Sequence, residues 1–223
     1  MNINNHREFK ARLYEQLARI TKALASPHRL ELIDLLAQGE RSVEELAREA
    51  AMPIANTSQH LQALKSAQLV TVRREGVHAY YRLADVAVFG AWQAVRDLGE
   101  KRLAEIERIV ESFLGSRDEL EPVSADELLE RLSAGDTVVL DVRPEVEFRA
   151  GHIRGARSMP LHELEARMSE LPKDQEIVAY CRGPFCMFAD EAVTLLRRHG
   201  FRARRFELGF PDWRAAGLPA VRR

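Results

Sequence analysis

The sequence is poor in cysteine: 223 residues contain only two, Cys181 and Cys186, five positions apart, and none earlier. A disulfide framework is thereby excluded, and a reducing compartment where thiols do chemistry is the better setting. No apolar run approaches the ~18 residues that a membrane span needs. Met1 to His6 lacks a cationic-then-apolar leader pattern, so a cytoplasmic protein with no membrane partner is expected. Net charge of one sign is also missing: the balance is −1, so no global basicity points to nucleic acid. There is no internal repeat and no low-complexity segment. What is present is an ordinary soluble composition, 46% apolar and 30% charged, long enough for two domains of ~100 residues each.

The expected boundary is Gly115 to Ser124, a glycine after a helical pattern followed by a polar run with Pro122. It divides the chain into residues 1–115, a linker 116–124, and residues 125–223. The first part reads as nearly all helical. Phe9, Leu13, Leu17, Ile20 and Leu24 form a stripe at helical spacing. Ser26-Pro27 opens a second helix ending near Gly39, and Ser42 to Glu45 is a capping box for a third through Ala50. Met52-Pro53 interrupts, and a fourth helix is predicted from Ile54 to Ala67. Leu69–Arg74 and His78–Leu83 read as a β-hairpin turning through Glu75-Gly76. A single long helix is predicted from Val86 to Leu114, with a seam through Trp92, Val95, Gly99, Leu103, Ile106, Val110 and Phe113.

After the boundary, strand and helix patterns alternate, as in an α/β domain with a mostly parallel sheet. Ser124 and Glu127 suggest a capping box for a helix through Ser133. Thr137–Asp141 is a strand, and Leu161–Glu170 a helix. Glu176–Tyr180 is a strand leading into the two cysteines, with a helix from Phe188 to His199 beyond them. Arg202–Glu207 is expected as the last strand. A thiol at such a strand-to-helix turn sits where backbone N–H groups converge and the helix dipole favours an anion. Arg182 adds a positive charge to that loop, Gly183 lets it curl, and Pro184 leaves it one N–H donor short.

In the first part, helix, turn, helix and a hairpin with arginines at its tip form the layout of a winged helix-turn-helix. Between Ile54 and Arg82 four Lys/Arg (Lys65, Arg73, Arg74, Arg82) stand against Glu75 alone. Asn56, Thr57, Ser58, Gln59 and His60 would meet base edges of a double-stranded operator, while Lys65, Arg73 and Arg74 neutralise phosphates. Ala25-Ser26-Pro27-His28-Arg29-Leu30, Ser58-Gln59-His60-Leu61-Gln62-Ala63-Leu64 and Tyr80-Tyr81-Arg82-Leu83 resemble the ArsR/SmtB family of dimeric repressors. The resemblance implies a homodimer built on the first and last helices of this half. Gln68 stands where that family usually has glycine, and φ > 0 there would cost on the order of 1 kcal/mol. The family's arsenite-type cysteines correspond to Ser42-Val43-Glu44, and the last helix has no histidine for a zinc-type site. No metal and no cofactor are expected.

The second part resembles rhodanese (sulfurtransferase) domains, through Asp141-Val142-Arg143, Glu147 to Ala156, Pro160, the Cys181 loop and Trp213 to Pro219. That resemblance makes Cys181 the nucleophile that takes up sulfane sulfur as a persulfide, with Asp141, Arg143 and His152 bracing the site. The position six after the cysteine, arginine in related phosphatases, is Met187. The position five after, arginine in many active rhodaneses, is Cys186. Cys186 has three readings: an inert apolar residue, a resolving thiol, or half of a two-thiol metal site. The leading expectation is a DNA-binding regulator, most simply a repressor, that senses reactive sulfur from a sulfane-sulfur donor. The alternative is a sulfurtransferase enzyme, weakly active through Cys181, tethered by its helix-turn-helix.

Overall fold

A computed structural model describes residues 3–115 and 117–222; Ser116, the first residue of the expected linker, lies outside the described residues, as do Met1, Asn2 and Arg223. Two compact units are present, Met1–Val95 and Arg96–Arg223.

The first unit begins with α1 (Ile3–Leu24) and α2 (Pro27–Ala37). Ser26 occupies the N-cap of α2 with extended dihedrals, but its side chain accepts no capping hydrogen bond; Pro27 at the first position opens the helix. Strand β1 (Arg41–Ser42) runs into α3 (Val43–Glu49), where the expected capping box is complete: Ser42 Oγ accepts from Glu45 N, and Glu45 accepts from Ser42 N at 2.7 Å. α4 (Ile54–Ser66) ends in a left-handed turn at Gln68 (φ 60), and Leu69 N donates back to Leu64 O. This is the Schellman arrangement, tolerated here without glycine. The hairpin joins β2 (Val70–Glu75) to β3 (His78–Leu83), with β1 on the far side of β3. Glu75 pairs with His78, so the turn is Gly76-Val77 rather than Glu75-Gly76, and Gly76 supplies the positive φ of 59°. Leu32, Ile33, Leu46, Leu61 and Leu64 form the buried centre.

The predicted long helix is two. α5 (Val86–Arg102) stops at Leu103, which adopts φ −114, ψ 93, and α6 (Ala104–Leu114) starts anew. Gly99 permits the bend, because a Cβ there would lie 2.9 Å from Ile106 Cδ1. The expected seam is thereby split at Leu103.

A 3-10 turn (Arg117–Leu120) leads to α7 (Ala125–Ala134). Within the expected linker, Val123 bridges Phe206, and Arg197 and Arg204 bind the carbonyls of Glu119 and Glu121. Ser124 caps α7 as expected, but Glu127 does not close a capping box: its carboxylate accepts from Arg131 and Arg204 instead. Then follow β4 (Thr137–Asp141), α8 (Glu145–Ala150), β5 (Gly151–Ile153), β6 (Arg157–Ser158), α9 (Leu161–Arg167), β7 (Glu176–Cys181), α10 (Phe188–Arg198), β8 (Ala203–Gly209), α11 (Phe210–Ala215) and β9 (Ala220–Arg222). The expected last strand is thus followed by one more, β9, which pairs with β5.

The central sheet has the order β6-β4-β7-β8, with every pair parallel. Strand alternation sorts its side chains between two cores. Leu140, Ile177, Ala179 and Cys181 face α9 and α10, whereas Val139, Val178 and Tyr180 pack with Phe206, Phe210 and Trp213. Cys181 is therefore delivered at the end of a central strand, beside the N-terminus of α10.

Candidate functional site

Two surfaces carry the candidate residues. On α4, Asn56 and Gln59 are exposed, and Ser58 and His60 half-buried. Thr57 corrects an expectation: it is fully buried, with Oγ1 donating to Pro53 O at 3.1 Å, so it packs the helix and reaches no base. A position one residue along a helix turns by about 100°, and the helical spacing of Thr57 with Leu61 and Leu64 is the signal that marks it as core. The His60 ring lies 5.2 Å from that of His28, and its pKa is lowered, by burial and by the nearby charges of His28 and Arg29. Gln62 Nε2 donates to Tyr81 Oη at 3.1 Å, fastening α4 to the wing.

The wing cations differ. Arg73 is held by two carboxylates, Glu40 at 2.8 Å and Glu75 at 2.7 Å, and lies over the Tyr80 ring. Arg82 Nε donates to Thr71 Oγ1. Arg74 and Lys65 are exposed, and no ion pair joins either to a carboxylate among the described residues. α1 turns Phe9 (63% exposed), Leu13 (46%) and Leu17 (52%) to solvent, leaving the first part of its stripe uncovered within one chain, while Ile20 and Leu24 pack on the core.

The second surface is the loop from Cys181 to Met187. Both cysteines are free thiols; Cys181 is buried and Cys186 half-buried. Cys181 Sγ lies 3.7 Å from Gly183 O and 3.6 Å from Cys186 O. Cys186 N donates to Gly183 O at 3.1 Å, so that N–H closes a turn rather than facing an anion. Burial, reinforced by the hydrogen bond it donates to Cys186, pushes the Cys181 thiol well above its ordinary range. The same hydrogen bond pulls Cys186 down to about 7, with backbone contacts at Arg182 and Phe188 assisting. The one hydrogen bond that the two thiols share thus raises Cys181, the enclosed sulfur, and lowers Cys186, the more exposed one. Sequence order alone hides this, because it depends on which sulfur is enclosed.

Arg182 also departs from expectation. Its guanidinium pairs with Glu147, Nη2 to Oε1 at 2.5 Å and Nε to Oε1 at 3.0 Å, and Glu147 is completely buried. Its charge is offset there by the Glu147 carboxylate. Gly183 needs no special backbone: its φ is not positive, and a Cβ would meet only Asp212 Oδ2 at 3.8 Å. The glycine that matters is Gly209, overlooked in the sequence. A Cβ there would lie 2.3 Å from Arg182 O and 2.4 Å from Gly183 N, so β8 approaches the thiol loop backbone to backbone. Asp212 holds the same place, accepting from Gly209 N at 3.2 Å and from Arg96 Nη2 at 2.8 Å. Arg205, buried, reaches Pro184 O and lies 3.5 Å from Asp190.

Beneath the loop, Asp141 and Arg143 form a wholly buried ion pair at 2.6 Å. Tyr180 Oη donates to Asp141 at 2.5 Å, and Arg143 Nη2 donates to Gly151 O at 2.8 Å. His152 stacks on Phe148 with centroids 3.8 Å apart. No group of three or more His, Cys, Asp or Glu is arranged to hold a metal among the described residues, and no helix there is long and apolar enough to cross a membrane.

A helix-turn-helix domain family matches residues 24–73, and the rhodanese-like domain family matches residues 124–216. The HTH-type transcriptional regulator Rv0324 of Mycobacterium tuberculosis is 44% identical over 210 residues, 94% of this chain and 92% of its own. A sulfurtransferase of Allochromatium vinosum is 33% identical over 101 residues, 44% of this chain and 92% of its own. Among solved structures, the homodimeric winged helix-turn-helix DNA-binding domain of Mb0332 from Mycobacterium bovis is 47% identical, covering 42% of this chain and 87% of that one at a TM-score of 0.40. Fold and site together define a winged helix-turn-helix joined to a rhodanese-like α/β domain. The chain belongs to the ArsR/SmtB-type helix-turn-helix transcriptional regulators that carry such a domain.

Proposed function

We propose that this regulator binds its operator as a homodimer and responds to sulfane sulfur through the thiol pair Cys181 and Cys186. The observation that carries this reading is geometric: one half-buried and one enclosed free thiol share a single loop, with Cys181 Sγ 3.6 Å from Cys186 O. Thiolate is the nucleophile in sulfur exchange, and a thiol with a pKa near ambient pH attacks best. The Cys186 thiolate attacks the outer sulfur of a persulfide R–S–SH, forming Cys186–S–SH and releasing RSH after proton uptake. Cys181 then attacks the Cys186 sulfur, closing Cys181–S–S–Cys186 and releasing hydrogen sulfide. The persulfide expected on Cys181 is thereby assigned to Cys186 first, with Cys181 as the resolving thiol.

DNA contact is assigned to Asn56, Ser58, Gln59 and His60 on α4 and to Lys65, Arg74 and Arg73 as phosphate contacts. The exposed part of the α1 stripe, Phe9, Leu13 and Leu17, supports the dimer, since a contiguous exposed apolar face marks an interaction surface. A turning-over sulfurtransferase is the second reading, favoured by the likeness to the Allochromatium protein. Against rapid thiosulfate turnover stands the commitment of Arg182 to Glu147.

The test measures binding to DNA that the wild-type protein selects from a random pool, with and without inorganic polysulfide. Wild-type affinity should change at least tenfold, while Cys186→Ser should not respond. Unchanged wild-type affinity, together with steady thiosulfate turnover, would overturn the regulatory reading in favour of the enzyme.

A further inference from the structure

A cleft of about 290 Å³ in the first unit is walled by cations: Arg19 and Lys22 of α1 and Arg29 of α2 line it together with Ala63, Ser66 and Ala67 at the C-terminal end of α4. Arg19 spends one N–H on Gln16 Oε1 at 2.8 Å and one on Ser66 O at 3.2 Å. Arg29 spends two on the carbonyls of Lys22 and Ala23, at the open end of α1. A guanidinium carries five such donors, so three remain on each, and carbonyls leave its charge uncancelled. Among the described residues no acid lines the cleft, and no carboxylate pairs with Arg19, Lys22 or Arg29. The cleft also occupies a definite side of the reading helix. Successive residues of α4 turn by about 100°, which places Ala63 and Ala67 on the flank shared by Asn56 and His60. The His60 ring lies there 5.2 Å from that of His28, the chain neighbour of Arg29. Lys65 lies on the opposite flank, and Gln62, bonded to Tyr81, ties that side to the wing. On α1, Lys22 falls about 180° round the helix from Leu13, so the cleft is turned away from the exposed stripe.

We infer that this cleft binds a backbone phosphate of the operator through Lys22, Arg19 and Arg29, so that the reading helix is held on both flanks. The inference rests on the operator-binding reading above. The major groove is about 12 Å wide, close to the diameter of a helix with its side chains, so a helix seated in it has a phosphate strand along each flank. The wing flank offers Lys65 and Arg74 to one strand; the other flank offers the cleft to the second. Like charges gathered without an acid repel one another, and a phosphate diester placed between them turns that repulsion into attraction. The chemistry recognised is an anionic phosphate oxygen, which free inorganic phosphate shares.

The test uses the full chain and DNA that the wild type selects from a random pool, titrated at several salt concentrations. The double variant Arg19→Ala, Lys22→Ala should lower the slope of log affinity against log salt by about 0.9, the share of one phosphate, and weaken binding to all sequences alike. Its loss of affinity between 50 and 200 mM salt is then about 3.5-fold smaller than that of the wild type. Lys22→Glu, made at an exposed side chain, should weaken binding roughly tenfold or more at low salt. The charge-keeping pair Arg19→Lys, Lys22→Arg should retain the wild-type slope, as should Lys101→Ala, at an exposed lysine outside the cleft. An unchanged slope in the double variant, with unchanged affinity in Lys22→Glu, overturns the cleft and leaves operator binding standing. Inorganic phosphate at matched ionic strength is the second arm. If it raises the melting temperature of the wild type but not of the double variant, and the DNA slope is unchanged, the cleft takes a free anion and the inference is overturned. Failure of the wild type to select any DNA overturns the operator-binding reading, and the cleft with it.

Discussion

The candidate DNA face and the thiol loop are built on opposite terms. On α4 and the wing, the side chains assigned to contact are exposed or half-buried, and the core beneath them is made by other residues. Around the thiols almost every charged group is buried and has a partner: Asp141 with Arg143 and Tyr180, Glu147 with Arg182, Asp212 with Arg96. A surface that meets a polyanion can leave charge in water until the partner arrives. A site that must hold two sulfurs at different acidities needs its surroundings immobile, because the shift on each thiol comes from enclosure and one hydrogen bond.

The contrast is broken most severely at Asp141. Asp141→Ala leaves the Arg143 guanidinium buried without its carboxylate and removes the acceptor of Tyr180 Oη. Loss of one partner of a buried pair costs about 3–5 kcal/mol. Denaturant unfolding of the full chain should show a loss of that size for Asp141→Ala, whereas Gln59→Ala should stay within ~0.5 kcal/mol. A loss below about 1 kcal/mol at Asp141, the size of an ordinary substitution, would remove the distinction.

A second, smaller effect tests the thiols directly. With Cys186 at about 7, its alkylation by a neutral reagent should rise about tenfold per pH unit below that value and level off above it. The sign follows from the thiolate being the reactive form. Cys181→Ala removes the donor that holds Cys186 down, so the inflection should move up toward the ordinary thiol range, ~8.5. Peptide mapping of the alkylated site checks the assignment. An inflection at ~8.5 or above in the wild type, or first alkylation at Cys181, would restore the roles expected from the sequence.

How much of this is legible in the sequence follows from which interactions are local. Capping at Ser42 and the strand carrying Cys181 depend on neighbours within a few residues, and the residue types announce them; the left-handed turn at Gln68 is not announced by its residue type and is suggested only by the family resemblance. The break at Leu103 is hidden because the apolar spacing is continuous through it; only packing of Ile106 against Gly99 reveals it. Arg182 and Glu147 are 35 positions apart, and Gly209 touches Arg182 from another strand. Partners so distant leave no periodic trace in one sequence. The acidity order of the thiols is hidden for the same reason, since burial of Cys181 comes from α9 and α10 packing over β7.

The smallest effect separates two adjacent wing residues. Arg74 has no carboxylate bound to it among the described residues, whereas Arg73 is already paired with Glu40 and Glu75. A phosphate that pairs with Arg74 releases a counterion; one that pairs with Arg73 must first displace two carboxylates. Arg74→Ala should therefore lower the slope of log affinity against log salt by about 1 and weaken binding to all sequences alike. Arg73→Ala should change the slope by clearly less, because Glu40 and Glu75 lose their counter-charge at the same time and repel the DNA. Titrations of selected DNA at several salt concentrations measure both. Equal slopes lost at the two positions would mean that the ion pairs of Arg73 open freely on DNA, and the wing would then present equivalent cations, not a graded set.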